Sequence, residues 1–337
     1  MRMLLTFLFG STYLSFRLPL REFLKTVLSL ELSLINYSVE ELGYGANLLM
    51  VRLGCKGEGE VFHSDELVAR LRRIALQLRR DVLKMTTKAG SGHPGGSLSA
   101  ADIITALYFH HLRHDPKNPK WEDRDRFILS KGHSCPVLYA ALARCGYFPV
   151  EELWRLRKIG SMLQGHPDML KTPGVEASTG NLGQGLSIGI GMALAARLDG
   201  KDYRVYVMLG DGELDEGQVW EAAMAASHFR LNNITAIVDY NGLQLDGFTE
   251  DIMSLEPLAE KWRAFGWHTI EIDGHNMRQI LDALDMAVMV KCKPTVIIAH
   301  TVKGKGVSFM ENRVEFHGKA LTEEQLRKAL EELRWEG

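Results

Sequence analysis

VMLGDGELDEGQVWEAAMAASHFRLNNITAIVDYNGLQLDG, residues 207–247, is the stretch on which the fold turns. An apolar strand runs into Gly-Asp-Gly, and four acids fall within six residues. A helical pattern follows, then a second apolar strand ending in Asp-Tyr-Asn-Gly. Strand, helix and strand in so short a space predict two parallel strands joined by a crossover helix. Downstream the alternation continues: PLAEKWRAFG reads as helix, WHTIEID as strand, NMRQILDALDMAVMV as helix, PTVIIAH as strand and TEEQLRKALEELRW as a closing helix. Upstream, SDELVARLRRIALQLRRDVLKMTTKA is an amphipathic helix capped by Ser64, and Ser99 is expected to cap AADIITALYFHHL. RFILS is a short buried strand, and CPVLYAALARCG and VEELWRLRKIG read as helices. The pattern predicts an α/β fold, a mainly parallel doubly wound sheet with helices on both faces. Residues 161–185 show little regular pattern, and a stretch of that length inside a compact domain is usually functional.

The bulk numbers fit an ordinary globular chain of 337 residues, 46% hydrophobic and 24% charged. A formal net charge of −2 gives no reason to expect a nucleic acid or an anionic membrane as partner. The four cysteines, Cys55, Cys135, Cys145 and Cys292, are scattered with no CxxC pair, so neither a zinc site nor a disulfide framework is suggested and a cytoplasmic location is expected. No apolar run reaches the roughly 18 residues of a membrane span. Residues 1–62 stand apart. MRMLLTFLFGSTYLSF mimics a signal peptide but lacks a small-residue cleavage site, and periodicity stays weak up to the Gly-rich GCKGEGE. An extension or mis-chosen start, a docking segment and a targeting signal are all open readings of it.

In an open parallel sheet, ligands sit beyond the carboxyl ends of the strands. Here those ends carry KGH after RFILS, GDGELDEG after VYVML, DYNG after ITAIV and HTVKGKG after TVII. Gly210 and Gly212 allow a bulky anion near the main chain. Asp211 is itself an anion at that place, so a cation must lie between it and a phosphate. Mg²⁺ takes oxygen ligands and prefers one or two carboxylates with phosphate oxygens. Asp211, the Asn241 side-chain oxygen and the Leu243 carbonyl would form part of its cage. Four histidines, His93, His133, His166 and His317, stand in Gly-rich loops expected to share one rim, and imidazole near pKa 6.5 suits proton exchange at neutral pH.

GDG followed by 28 residues and then Asn241 resembles the thiamine diphosphate signature. GSGHPGGSLSAADI, DRFILSKGHSCPVLYAAL, GHPD…PGVEASTGNLGQGLSIGIGMALAARL and KGKGVSF…EFHGKA resemble transketolase, in order, from about residue 65 to residue 325. The match covers only that family's N-terminal, diphosphate-binding domain, so residues 63–337 are expected to form that domain and residues 1–62 an extension. The resemblance implies an enzyme of carbohydrate metabolism in the pentose phosphate pathway. It would move a two-carbon ketol unit from a ketose phosphate to an aldose phosphate. The implied cofactors are thiamine diphosphate and Mg²⁺, or another divalent cation such as Ca²⁺ or Mn²⁺.

The resemblance assigns Asp211, Asn241 and Leu243 to the metal. It assigns His133, Gly180, Asn181, Leu182, Gly212, Asn241, Lys303 and His317 to the cofactor. His93, His133, His166 and His317 would act on the sugar, and Glu216 would link paired active sites. Lys131, Gln244 and Lys319 are further candidates, and Gly96 stands where some members of the family have a Ser. The glutamate that activates the cofactor lies on the family's pyrimidine-binding domain, which this sequence does not encode. The implied partner is therefore a separate C-terminal subunit, in an α₂β₂ assembly. A deoxyxylulose phosphate synthase relative, a 2-oxo acid dehydrogenase component and a non-catalytic cofactor-binding module are the alternatives.

Overall fold

The computed structural model describes residues 2–9, 12–19 and 63–335. The chain divides into two compact units, Met1–Glu60 and Val61–Gly337. In the first, β1 (Arg2–Phe9) and β2 (Thr12–Pro19) pair antiparallel, two strands that the weak periodicity there does not announce. The rest of residues 1–62 lies outside the described residues, and so do the readings made of it.

The second unit is built on a five-stranded sheet. Its strands are β3 (Arg126–Leu129), β4 (Val205–Gly210), β5 (Ile234–Tyr240), β6 (His268–Asp273) and β7 (Thr295–His300). The order is β3-β4-β5-β7-β6 and every pairing is parallel. Parallel strands need crossovers, and helices supply them. In chain order these are α1 (Asp65–Ala89), α2 (Pro94–Ser99), α3 (Ala101–Ala106), α4 (Cys135–Cys145), α5 (Gln184–Leu198), α6 (Gly217–His228), α7 (Thr249–Ile252), α8 (Leu258–Ala264), α9 (Met277–Met289) and α10 (Glu323–Glu332).

Strand alternation divides the core. Tyr206, Met208, Ile237 and Ile297 face one side, packed with Leu71, Leu78, Ile104, Leu138, Ile280 and Leu284 from α1, α3, α4 and α9. Val205, Val207, Leu209, Val238 and Ile298 face the other, packed with Leu186, Ile190, Val219, Ala223 and Trp262 from α5, α6 and α8. Both faces are covered, which is why the strands read as continuous apolar runs.

Ser64 does cap α1, accepting from the Leu67 amide at 3.2 Å. Ser99 does not cap: it closes α2, and α3 begins after Ala100 with no side-chain cap. Ser99 is itself the last helical residue of α2, so it is not in the extended conformation of an N-cap, and its hydroxyl donates to Asp239 Oδ2, 2.6 Å away. VEELWRLRKIG forms only a short 3₁₀ turn, Val150–Arg155. Between it and α5, residues 156–183 have no helix or strand, as the sequence suggests for 161–183 but not for 156–160, which read as helix. Among the described residues no helix is long and apolar enough to cross a membrane.

Candidate active site

The register of β4 and β5 builds the centre of the site. Gly210 is paired with Asp239, so the two strand ends deliver Asp211 and Asn241 side by side. Asp211 is buried. Its Oδ1 accepts from the Gly212 amide at 2.8 Å, and its Oδ2 accepts from the amides of Asn241 at 2.8 Å and Gly242 at 2.6 Å. One carboxylate thus ties the Gly-Asp-Gly turn to the Asn-Gly-Leu turn. Asn241 turns its Nδ2 toward Asp239 and its Oδ1 toward the Leu243 amide, 3.2 Å away. The Leu243 carbonyl accepts from the Lys303 ammonium at 2.8 Å, and Lys303 Nζ also lies 2.9 Å from His317 Nδ1.

Electrostatics mark this as a strained set of charges. Burial, and then Asp239 close by, push Asp211 up to about 6, against the amide bonds that favour its charged form. Burial lowers Lys303 to about 8, opposed by the Asp211 charge and reinforced by Lys131. Burial also opposes ionisation of Asp239, but Lys131, Ser99 and Thr301 outweigh it and hold the carboxyl below its usual value. The Lys131 ammonium, also buried, bridges Asp239 and the Gly96 carbonyl, 2.8 Å away.

Lys131, Asp211, Asn241, Leu243, Lys303 and His317 surround a cavity of about 180 Å³ that also touches His133, Leu182, Gly212, Glu213 and Gln244, with Asp239 behind its wall. His93 stands beside it and links the histidines. Its ring centre is 5.3 Å from that of His133, 5.5 Å from His317 and 6.4 Å from His166. The four loop histidines of the sequence therefore gather on one rim. Their protonation differs from the expectation of a pKa near 6.5. Burial, then Arg157, lowers His93 to about 4. Burial, then Lys303, lowers His317 to about 3. Burial, then Lys131, takes His133 well below its usual value, and burial followed by Arg157 lowers His166. At pH 7 the rim is a set of neutral imidazoles, each with one donor and one acceptor nitrogen.

Not every candidate reaches the cavity. Gly180 sits against His166, where a Cβ would lie 3.0 Å from the ring, and its φ of +151° is one that glycine tolerates best. Asn181 is exposed, and Glu216 is exposed at the start of α6 with no side-chain cap bond. Gln244 lines the cavity and donates to Asp215 at 3.2 Å, whereas Lys319 is exposed. A Cβ at Gly96 would meet Ser134 Oγ at 2.8 Å, so the missing side chain leaves room that Ser134 partly fills.

Two groups carry more of the site than the sequence suggests. Asp239 organises Lys131, Ser99 and Thr301, and the signal for it is a charge inside the otherwise apolar ITAIVDY. Glu213 is buried and joins three loops: it accepts from Ser130, from the Gly183 amide at 2.9 Å and from the Gly210 amide at 3.0 Å.

The donors fit a hard cation. A carboxylate, an amide oxygen and a carbonyl oxygen line one wall, and the raised pKa of Asp211 is that of a buried anion short of positive charge. Among the described residues no group of three or more His, Cys, Asp or Glu could hold a metal between them, and a cage of this mixed kind does not require one. His93 Nδ1 and Ser134 Oγ are buried without a hydrogen-bond partner, so the rim has polar capacity to spare for a ligand.

Residues 71–337 match the model of the family described as transketolase, thiamine diphosphate binding domain. The chain is 49% identical over 270 residues to the 6-deoxy-6-sulfo-D-fructose transketolase subunit of Clostridium sp. (strain MSTE9), covering 79% of this chain and 98% of that one. It is 44% identical to an apulose-4-phosphate transketolase subunit of Phocaeicola vulgatus, over 76% of this chain and 90% of the relative. The transketolase of Campylobacter jejuni superposes with a TM-score of 0.75 at 36% identity, over 79% of this chain but only 43% of the other.

Proposed function

The chain belongs to the family of the transketolase thiamine diphosphate binding domain, and from that premise we propose that it is the N-terminal subunit of a split transketolase. It transfers a two-carbon ketol unit from an anionic ketose, such as a ketose phosphate, to an aldose phosphate. A C-terminal subunit with a pyrimidine-binding domain completes the active site, in an α₂β₂ assembly in the cytoplasm. Two relatives bearing the word subunit are matched over 90% and 98% of their length, whereas the Campylobacter chain extends well beyond the match. One of those relatives is named for a sulfo-sugar and the other for a sugar phosphate, which supports an anionic substrate.

Asp211, Asn241 Oδ1 and the Leu243 carbonyl would hold Mg²⁺, and Gly212, Asn241, His133, Lys303 and His317 would hold the diphosphate, with Leu182 at the cavity wall and Gly180 and Asn181, which lie outside the cavity, toward the part of the cofactor that extends beyond it. Thiamine diphosphate, when bound, supplies the carbon nucleophile that takes up the ketol unit. The chain's own residues orient and exchange protons. His93, His166 and His317 would present neutral nitrogens to the sugar hydroxyls, and His133, on the cavity wall, would serve both diphosphate and sugar. A bound diphosphate would raise the pKa of these imidazoles, and so ease their protonation, by opposing the Lys303 and Lys131 charges.

The observation that carries this reading is the buried Asp211 carboxylate. It is fastened to the Asn241 turn by hydrogen bonds from two backbone N–H groups, and burial and then the Asp239 charge push it up to about 6. Calorimetric titration of the chain with thiamine diphosphate and Mg²⁺ tests it. Binding is expected, and Asp211→Ala should weaken it by roughly a hundredfold, about 3 kcal/mol. An Asp211→Ala chain that binds like the wild type removes the proposal.

A further inference from the structure

Lys303 reaches Leu243 and His317 from residues 301–304, a stretch with no helix or strand of its own. Its backbone is tied at nearly every step. The Thr301 amide donates to the Tyr240 carbonyl at 3.0 Å, the Gly304 amide donates to the Gly95 carbonyl at 3.0 Å, and the Lys303 carbonyl accepts from the Asn312 amide at 2.9 Å. The Val302 amide is different: it donates to a side chain, His275 Nε2, at 2.8 Å.

His275 stands in the turn before α9, and its other nitrogen, Nδ1, lies 2.7 Å from Asp102 Oδ2 on α3. Asp102 is gripped by both terminal nitrogens of Arg79 on α1, at 3.1 and 2.6 Å. Arg79 and Asp102 are buried. A backbone amide can only donate, so Nε2 must accept, the ring is neutral and its proton faces Asp102. A carboxylate that fixes a tautomer in this way fixes the ring's direction as well.

We propose that His275 is a positioning residue: held by Asp102 and Arg79, it anchors the Val302 amide and thereby aims the Lys303 ammonium at the cofactor diphosphate. The inference rests on the function proposed above. Histidine is needed here because it donates on one side and accepts on the other. An apolar side chain of similar size fills the space but leaves the Val302 N–H without a partner.

A double-mutant cycle on the full-length chain tests it, read as calorimetric affinity for thiamine diphosphate in Mg²⁺. Lys303→Met is expected to weaken binding about tenfold. His275→Leu should cost a similar factor, and His275→Leu added to Lys303→Met should cost nothing further. His275→Gln, which can still accept from Val302, should recover most of the loss. Should His275→Leu fail to fold, His275→Asn replaces it, being polar but too short to reach Val302. Wild-type affinity in His275→Leu, the same loss in the absence of Lys303, or no recovery by His275→Gln overturns the inference alone, because Lys303→Met then still responds. A wild-type chain that does not take up thiamine diphosphate overturns the proposed function, and this role with it.

Discussion

Asp211 and the four rim histidines pull the pH dependence of stability in opposite directions. His93 and His317 fall to about 4 and about 3 in the folded chain, while unfolded histidine stays near 6.5. As pH drops below 6.5 the unfolded chain takes up protons first, so stability is lost through that window. Asp211, raised from 3.8 to about 6, has the opposite sign: its contribution is full below 3.8 and lost as pH rises through 6. Histidines outnumber it, so the cofactor-free chain should melt several degrees lower at pH 5 than at pH 7. His317→Asn should shrink that difference, as thermal denaturation across the range will show. Legibility at this scale was uneven. Asp211 and Asn241 are visible in the sequence because Gly and acid at a strand end have no structural reason to be there. Asp239 shows in the sequence only as a charge in an apolar strand; its role is hidden because only folding brings Ser99, Lys131 and Thr301 to it. The lowered histidine pKa values are hidden too, since they come first from burial and then from charges that, Lys131 beside His133 apart, only folding brings close.

Among elements, α5 shows how tightly one crossover helix is fitted. A Cβ on Gly189 would lie 2.5 Å from Val207 Cγ2 on β4, while nothing lies within 4 Å of one on Gly191. Gly189→Ala should force α5 off the sheet and destabilise by about 1–3 kcal/mol. Gly191→Ala, on the exposed side of the same helix, should stabilise by about 0.5–1 kcal/mol through its helix propensity. Urea unfolding of the two variants reads both signs. Elements with a long period were legible: α1, α9 and α10 carry apolar stripes, and the strands are unbroken apolar runs. Shorter ones were not. VEELWR has helical composition, yet it is followed by a backbone that turns away at Leu156. Ser99 looks like a cap because its local sequence is that of a cap, but the chain is already helical through it, and its hydroxyl donates to a partner 140 positions along the chain.

For the whole molecule, the order β3-β4-β5-β7-β6 puts four functional loops on one edge, which alternation of strands and helices makes predictable as a class but not in its strand order. We propose that the second unit is an autonomous domain. A chain beginning at residue 61 should melt within about 2 °C of the full chain and bind thiamine diphosphate equally well, by calorimetry. Neither chain should turn over sugars alone. Adding a C-terminal partner with the pyrimidine-binding domain should restore ketol transfer, and full turnover without it would rule out the split arrangement.

The Asn241 turn is shaped by the protein's own bonds. Asp211 draws in its amides, and the Lys303 amine rests on the Leu243 carbonyl. The turn that would carry two of the proposed metal ligands is therefore already folded without cofactor, although Lys303 occupies the Leu243 carbonyl that a cation would take. Loading would then cost little ordering entropy in this turn, since only the Lys303 amine has to leave the carbonyl.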